Sequence, residues 1–196
     1  MKCIALVFED FETLDLFGPV ELLAGIPAIN FSYQSLAGGL VRNRQGVEIL
    51  TQPLDLTSPI DVLLLPGGRG TRTLVENEAF LTSLGQLAEQ ASFVLSVCTG
   101  SALLAKAGLL DAKEATSNKL AFDWVTSQEL AVNWKRQARW VHDGKYYTSS
   151  GVSAGMDMVL GFVRDQFGQE LAEQIARQAE YHWQDDPERD DFAPAG

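Results

Sequence analysis

Short, mostly apolar runs of residues alternate along this chain with segments in which apolar residues recur every three or four positions. Runs of the first kind lie at residues 3–8, 61–65 and 93–97, and their length is typical of strands buried on both faces. Segments of the second kind predict helices, because a 3.6-residue period places their apolar side chains on one face. Strands that alternate with helices predict an α/β fold around a mostly parallel sheet.

Five segments carry the helical period clearly enough to predict helices. In each of them, apolar side chains repeat at spacings of three and four, and a capping residue or a glycine stands near an end. They span residues 13–23, 77–90, 121–130, 151–163 and 169–181. Five helices placed between the strands would cover both faces of the sheet.

Two stretches depart from the parallel pattern and predict β-hairpins. The first joins the apolar positions of 40–42 to those of 47–50 through Asn43-Arg44-Gln45-Gly46. The second contains Asp143-Gly144 between two short apolar runs, and Asp-Gly is a strong signal for a tight hairpin turn. Gly38-Gly39 is expected to end the strand that precedes the first hairpin.

The length of 196 residues suits one domain with a substantial core. We expect a single domain over residues 1–182, since no repeat or interdomain linker is visible. Residues 183–196 are acidic and contain two prolines, which predicts an extended C-terminal tail.

A formal net charge of −11 argues against a nucleic-acid partner, which favours basic surfaces. The cysteines, Cys3 and Cys98, lie far apart and predict free thiols in a reducing compartment. Met1-Lys2 leads directly into a strand, so we expect neither a signal peptide nor a membrane span. These features predict a cytoplasmic protein. With only two histidines and no zinc-like cysteine spacing, no metal site is expected.

Cys98 stands where the apolar run at 93–97 stops and a new helix begins. Small residues follow it, including Gly100 and Ser101, so the layout is that of a nucleophile elbow with a strained backbone. The start of a helix favours a thiolate. We therefore expect the pKa of Cys98 to lie below the free value of about 8.5. The alternative is an unreactive core thiol, a common state of free cysteine.

Two other segments are predicted to reach the same sheet edge. Asp15 follows the first strand, and Gly67-Gly68 follow the strand at 61–65. Open α/β sheets place their ligands at the carboxyl ends of their strands, so convergence with Cys98 indicates an active site. Each feature also has a structural interpretation: Asp15 as a helix cap, the glycines as a tight turn.

Several motifs resemble those of the ThiJ/PfpI superfamily, whose fold is flavodoxin-like and related to class I glutamine amidotransferases. The matching segments cover nearly the whole chain, and the first and third are similar to the isonitrile hydratase branch and to domains of AraC-type regulators. They are Leu-Asp-Leu-Phe-Gly-Pro-Val-Glu at 14–21, Leu-Pro-Gly-Gly at 65–68, Ser-Val-Cys-Thr-Gly at 96–100, Ala-Gly-Leu-Leu-Asp at 107–111, Ala-Thr-Ser-Asn at 115–118 and Thr-Ser-Ser-Gly-Val-Ser-Ala-Gly-Met-Asp at 148–157. The resemblance implies a three-layer sandwich with helices on both faces of the sheet.

The resemblance also implies roles for individual residues. Cys98 would be the nucleophile, Asp15 its acidic partner, and the backbones of Gly68 and Thr99 the oxyanion donors. Gly67 and Asn118 would contact the substrate. Thr99 stands where protease-like members carry a histidine, and Asn118 stands where many members carry a second histidine. These departures weaken assignments that need a Cys-His pair.

The resulting expectation is a lyase that hydrates a small isonitrile through nucleophilic Cys98, with no cofactor. The rivals are glyoxalase- or deglycase-like carbonyl chemistry, a cysteine redox sensor, and a ligand-binding module. The expected partners are a small-molecule substrate and, from the resemblance, a second copy of the chain in a homodimer with an interface near the first helix.

Overall fold

A mixed eight-stranded sheet forms the centre of the computed structural model, which describes residues 1–194. The strands are β1 (Lys2–Leu6), β2 (Asn30–Ser35), β3 (Ala37–Arg42), β4 (Glu48–Pro53), β5 (Ile60–Leu65), β6 (Ala91–Ser96), β7 (Glu114–Ala115), β8 (Asn133–Trp134), β9 (Trp140–Asp143) and β10 (Tyr146–Ser149). The helices are α1 (Thr13–Leu23), α2 (Thr71–Leu74), α3 (Glu78–Gln90), α4 (Gly100–Lys106), α5 (Phe122–Thr126), α6 (Ala154–Phe167) and α7 (Gln169–Gln178).

The order of strands in the main sheet is β3-β4-β2-β1-β5-β6-β10-β9. The five central pairings, from β4/β2 to β6/β10, are parallel, and the outer pairs β3/β4 and β9/β10 are antiparallel. Both predicted hairpins are therefore confirmed, each at one edge of the sheet. β7 and β8 form a separate two-stranded sheet.

The helices form two groups that cover the sheet. α1 contacts α6, which contacts α7, while α4 contacts α2, α3 and α5. β1 and β5, the central strands, are almost wholly buried, as expected for strands covered on both faces. The predicted flavodoxin-like arrangement of three layers is thus confirmed.

Several local predictions are wrong. Gly38 and Gly39 lie inside β3 rather than ending a strand, and both have positive φ, 71° and 92°. A Cβ on Gly38 would come within 2.6 Å of the nitrogen of Pro53, so the hairpin uses glycine for close approach. The helix predicted over 121–130 is limited to α5, and the last helix ends at Gln178 rather than Tyr181.

The C-terminal segment, residues 183–194, contains no helix or strand but does not extend away from the domain. The indole nitrogen of Trp183 donates to the carbonyl of Asp157 at 3.1 Å. Asp190 is buried and forms an ion pair with Arg139. The prediction of an extended tail is corrected accordingly, because these contacts make the segment part of the domain surface.

Within residues 1–194, no helix is both long and apolar enough to cross a bilayer.

Candidate active site

Cys98 occupies the sharp turn between β6 and α4, with a φ of 57°. This left-handed conformation is unfavourable for a residue with a side chain and confirms the predicted strain. Hydrogen bonds hold it in place: the Cys98 N–H donates to the carbonyl of Ser150 at 3.2 Å. The hydroxyls of Ser101 and Ser117 donate to its carbonyl at 3.1 and 2.8 Å. Surrounding contacts thus maintain the geometry of a nucleophile elbow.

Close backbone approach explains two glycines around the turn. A Cβ on Gly100 would lie 2.8 Å from the carbonyl oxygen of Leu65. A Cβ on Gly67 would lie 2.6 Å from the nitrogen of Thr99 and 2.9 Å from Oδ2 of Asp15. Larger residues at either position would separate the loops that form the site.

Asp15 lies in the first turn of α1 and is fully buried. Its Oδ2 accepts the N–H of Gly67 at 3.0 Å, whereas its buried Oδ1 has no hydrogen-bond partner in residues 1–194. No lysine or arginine of that range forms an ion pair with it. Burial, with a smaller contribution from the charge of Glu12, raises the pKa of Asp15 to about 7, so this carboxyl can gain or lose a proton near neutral pH.

The thiol of Cys98 lies beside this carboxyl and is only 7% exposed. Burial, and after it the charge of Asp15, raises the pKa of Cys98 well above its ordinary value. The N–H groups of Thr99 and Val152 favour the thiolate but do not outweigh these effects. The expected low pKa is therefore wrong. α4 has only seven residues, and its N-terminal field is weaker than desolvation next to a carboxylate.

Thr99 connects the elbow to the glycine loop through its hydroxyl. The N–H of Gly68 donates to Thr99 Oγ1 at 3.0 Å, and the hydroxyl of Thr71 lies 3.2 Å from the same oxygen. The Gly68 N–H, predicted as an oxyanion donor, is therefore engaged within the protein. Its role in catalysis stays a prediction. For that role, the Gly68 N–H would have to exchange its hydrogen bond to the Thr99 hydroxyl for one to the substrate.

Asn118 is placed next to the turn that carries Ser150. Its Oδ1 accepts the N–H of Ala121 at 2.9 Å, and a Cβ on Gly151 would lie 2.1 Å from its Nδ2. These contacts give Asn118 a role in packing two loops together. The predicted contacts of Asn118 and Gly67 with substrate stay predictions.

Val152 is a site residue that sequence reasoning missed. Its φ is 47°, which is unusual for a β-branched residue, and its N–H stabilises the thiolate form of Cys98. The motif around it predicted only the start of a helix. The glycine at position 151 was the one available signal of a special backbone, and it did not identify which N–H would face the sulfur.

Residues 1–194 contain no group of three or more His, Cys, Asp or Glu side chains placed to hold a metal ion. The ring of His142 stacks on Tyr147 with centroids 3.9 Å apart, as part of the packing of the second hairpin.

Comparison with known proteins agrees with this fold. The model of the DJ-1/PfpI family matches residues 1–165, and the chain therefore belongs to that family. It is 33% identical over 180 residues to the isonitrile hydratase of Pseudomonas putida, which covers 90% of this chain and 76% of the relative.

Two further proteins show how varied the relatives are. The chain is 29% identical to the HTH-type transcriptional regulator GbdR of Pseudomonas aeruginosa over 87% of its own length, but it spans only 48% of that regulator. A crystal structure of a ThiJ/PfpI family protein from Pseudomonas syringae superposes with a TM-score of 0.82 and 28% identity, covering 99% of this chain and 78% of that one. Catalytic and regulatory proteins thus share this architecture.

Proposed function

We propose that this protein hydrates a small isonitrile to an N-substituted formamide. The observation that carries the proposal is the buried pair of Asp15 and Cys98, in which a carboxyl with a pKa of about 7 adjoins a nucleophile. An isonitrile needs both a nucleophile and a proton at the same carbon, and this pair supplies both. The likeness to an isonitrile hydratase over 90% of the chain supports the same chemistry.

The first step adds the thiol across the isonitrile carbon. The sulfur of Cys98 forms a bond to that carbon while its proton passes to the Asp15 carboxylate. Asp15 then delivers the proton to the carbon, and the product is a thioimidate, S–CH=N–R. A raised thiol pKa fits this step, because the proton has to be present to be transferred.

The second step hydrolyses the thioimidate. Asp15 accepts a proton from water as the oxygen attacks the carbon and passes that proton to the nitrogen, which gives a tetrahedral adduct. Collapse of the adduct breaks the carbon–sulfur bond, releases the formamide and returns the proton to Cys98. One water is added overall, and no electrons are gained or lost.

Backbone donors would stabilise the charge that develops in both steps. The N–H groups of Thr99 and Val152 favour the anionic sulfur, so they can stabilise Cys98 when it leaves. The Gly68 N–H is the further donor that the resemblance implies. Loss of one such donor typically lowers the rate about 100- to 1000-fold.

The test compares the two cysteines. Cys98→Ser should abolish formamide formation from a simple alkyl isonitrile. Cys3→Ala should retain it, because Cys3 lies inside β1, where burial raises the pKa of its thiol to about 12. Product is measured by chromatography under identical conditions. Persistent hydration by Cys98→Ser would refute the mechanism.

The same assay addresses the rival functions. Methylglyoxal, supplied in parallel, tests the carbonyl chemistry that uses the same nucleophile. Selective oxidation of Cys98 by mild peroxide, with no turnover of either compound, would indicate a redox sensor. Ligand-induced stabilisation without turnover would indicate a binding module, the interpretation favoured by the match to a transcriptional regulator.

The predicted homodimer has a candidate interface on α1. Leu14 and Phe17 are 38% and 37% exposed on the helix that carries Asp15. A partner bound there would pack against the helix that carries Asp15. Sedimentation at micromolar concentration tests this prediction, and a monomer would contradict it.

A further inference from the structure

A buried cluster of charges attaches the C-terminal segment to the domain. Arg139 donates from Nε and Nη2 to Oδ2 of Asp157, at 2.7 and 2.6 Å. Its Nη1 lies 3.4 Å from Asp190 Oδ1, and Lys119 Nζ lies 3.8 Å from Asp190 Oδ2. The four side chains are between 0% and 9% exposed. The positive charges of two side chains therefore neutralise the negative charges of the other two in a region that is largely closed to solvent.

Backbone bonds connect Arg139 directly to the elbow. The carbonyl of Arg139 accepts the N–H of Ser150 at 2.8 Å, and the carbonyl of Ser150 accepts the N–H of Cys98 at 3.2 Å. The guanidinium also donates to the hydroxyl of Ser153 at 3.3 Å. Arg139 thus holds both ends of the turn 150–153, which carries the Val152 N–H.

The C-terminal segment holds Arg139 from the other side. The N–H of Arg139 donates to the carbonyl of Pro187 at 2.7 Å, and the N–H of Asp190 donates to the carbonyl of Gln137 at 2.8 Å. The Asp190 carboxylate then closes the cluster. This segment lies beyond the part of the chain that the family model matches, which ends at residue 165.

We propose that Asp190 is a positioning residue for Cys98 and that residues 187–190 act as a strap. The strap fixes Arg139, whose carbonyl and guanidinium hold the two ends of the turn 150–153 in the position where its backbone supports the elbow. For turnover the proposal rests on the function proposed above, but its effect on the thiol does not.

The composition of the cluster supports a role beyond adding stability. Burial of charges costs solvation free energy, and well-packed apolar residues often serve stability as well or better. A charged cluster can instead fix the orientation of the groups around it. The planar guanidinium of Arg139 presents several N–H donors in fixed directions and so orients several acceptors at once. Those acceptors lie on α6, on the turn 150–153 and on the strap.

The test compares Asp190→Asn with Asp191→Asn as a matched control. Asp191 is the next residue, and its exposed side chain pairs with Arg189 at the surface. Alkylation of Cys98 by iodoacetamide is followed against pH by mass spectrometry of the Cys98 peptide, which separates it from Cys3. Thermal unfolding is recorded, and kcat and KM are measured with an alkyl isonitrile.

Asp190→Asn should lower the midpoint of the alkylation profile by about one pH unit, since a displaced turn exposes the sulfur and burial is the largest cause of its raised pKa. It should lower kcat about tenfold with KM nearly unchanged, the effect of a small displacement of reacting groups. Asp191→Asn should match the wild-type protein in every measurement.

The proposal is wrong if Asp190→Asn lowers only the unfolding temperature and keeps the wild-type alkylation profile. If the wild-type protein does not hydrate isonitriles, the proposed function fails, while the alkylation profiles still decide the role of Asp190. Should Asp190→Asn not fold, Lys119→Met/Asp190→Asn removes a cation together with the anion and leaves no charge unpaired. The same displacement is expected for that double variant.

Discussion

Asp15 and Asp157 are two fully buried carboxyl groups that lie in the first turns of two contacting helices, α1 and α6. Their surroundings differ. Asp157 accepts bonds from Arg139, from the hydroxyl of Tyr181 at 3.0 Å and from the N–H of Gln184 at 2.9 Å. Within residues 1–194, Asp15 accepts one backbone N–H, and its Oδ1 has no hydrogen-bond partner.

This contrast shows that neighbouring groups, and not burial or helix position, separate a carboxyl suited to proton transfer from one that holds structure. Burial raises the pKa of both. At Asp157 the charge of Arg139 and several hydrogen bonds oppose that effect. At Asp15 no cation in the described part of the chain does so, and its pKa reaches about 7. The carboxyl without a charged partner among residues 1–194 is the one beside Cys98.

The largest effect should come from Asp15→Asn on turnover. The amide keeps the size of the side chain but cannot carry the proton, so kcat should fall about 1000-fold, within the range of general acid–base catalysis. Because the charge of Asp15 raises the pKa of Cys98, alkylation of Cys98 should become faster in the same variant. Glu21→Gln on the exposed side of α1 is the control. Turnover within tenfold of wild type would remove Asp15 from the mechanism.

The second prediction concerns stability against pH. The pKa of Asp15 is about 7 in the folded protein and about 3.9 in an unfolded chain. The folded state binds the proton more tightly, so the contribution of Asp15 is complete below pH 4 and is lost as pH rises through 7. The loss amounts to about 4 kcal/mol. Urea unfolding of Asp15→Asn between pH 4 and 8 should lack this decline, and parallel wild-type and variant curves would contradict the prediction.

Asp157→Asn should act on stability instead. Removing one partner leaves Arg139 buried with less compensation, which should lower the free energy of unfolding by about 3 kcal/mol. Urea unfolding at pH 7 measures the effect. Glu170→Gln, an exposed carboxylate in the first turn of α7, should change it little. Equal stabilities for the two variants would show that the cluster does not support the fold.

The smallest effect is expected at Thr99. Thr99→Val removes the hydroxyl that accepts the Gly68 N–H and leaves that donor unpaired, at a cost of about 1 to 3 kcal/mol in stability. We expect about a tenfold loss in kcat, since the glycine loop loses its link to the elbow. Thr99→Ser keeps the hydroxyl and should restore both values. Failure of serine to do so would assign the effect to shape rather than to the hydrogen bond.

Much of the fold followed from local patterns. The apolar runs predicted the buried strands, Asp143-Gly144 predicted a hairpin at one edge, and Asn77 marked the start of α3, where its side chain accepts the N–H of Phe80. The predictions that failed were ends of elements and turns, such as Gly38-Gly39 and the end of α5. These depend on contacts with distant residues, which a local pattern does not contain.

The sequence by itself determined the elbow: a strand, a cysteine, small residues and a helix can join at Cys98 in only a narrow range of backbone angles. It also brought Asp15 and Gly67-Gly68 to the same edge, because parallel strands end together. Tertiary structure alone decided the protonation of that site, the engagement of the Gly68 N–H by Thr99, and the placement of Asp190. The physical reason is the distance over which each effect acts along the chain. Backbone angles depend on residues that are neighbours in the sequence, whereas pKa values and buried ion pairs depend on exclusion of solvent and on groups brought together from distant segments.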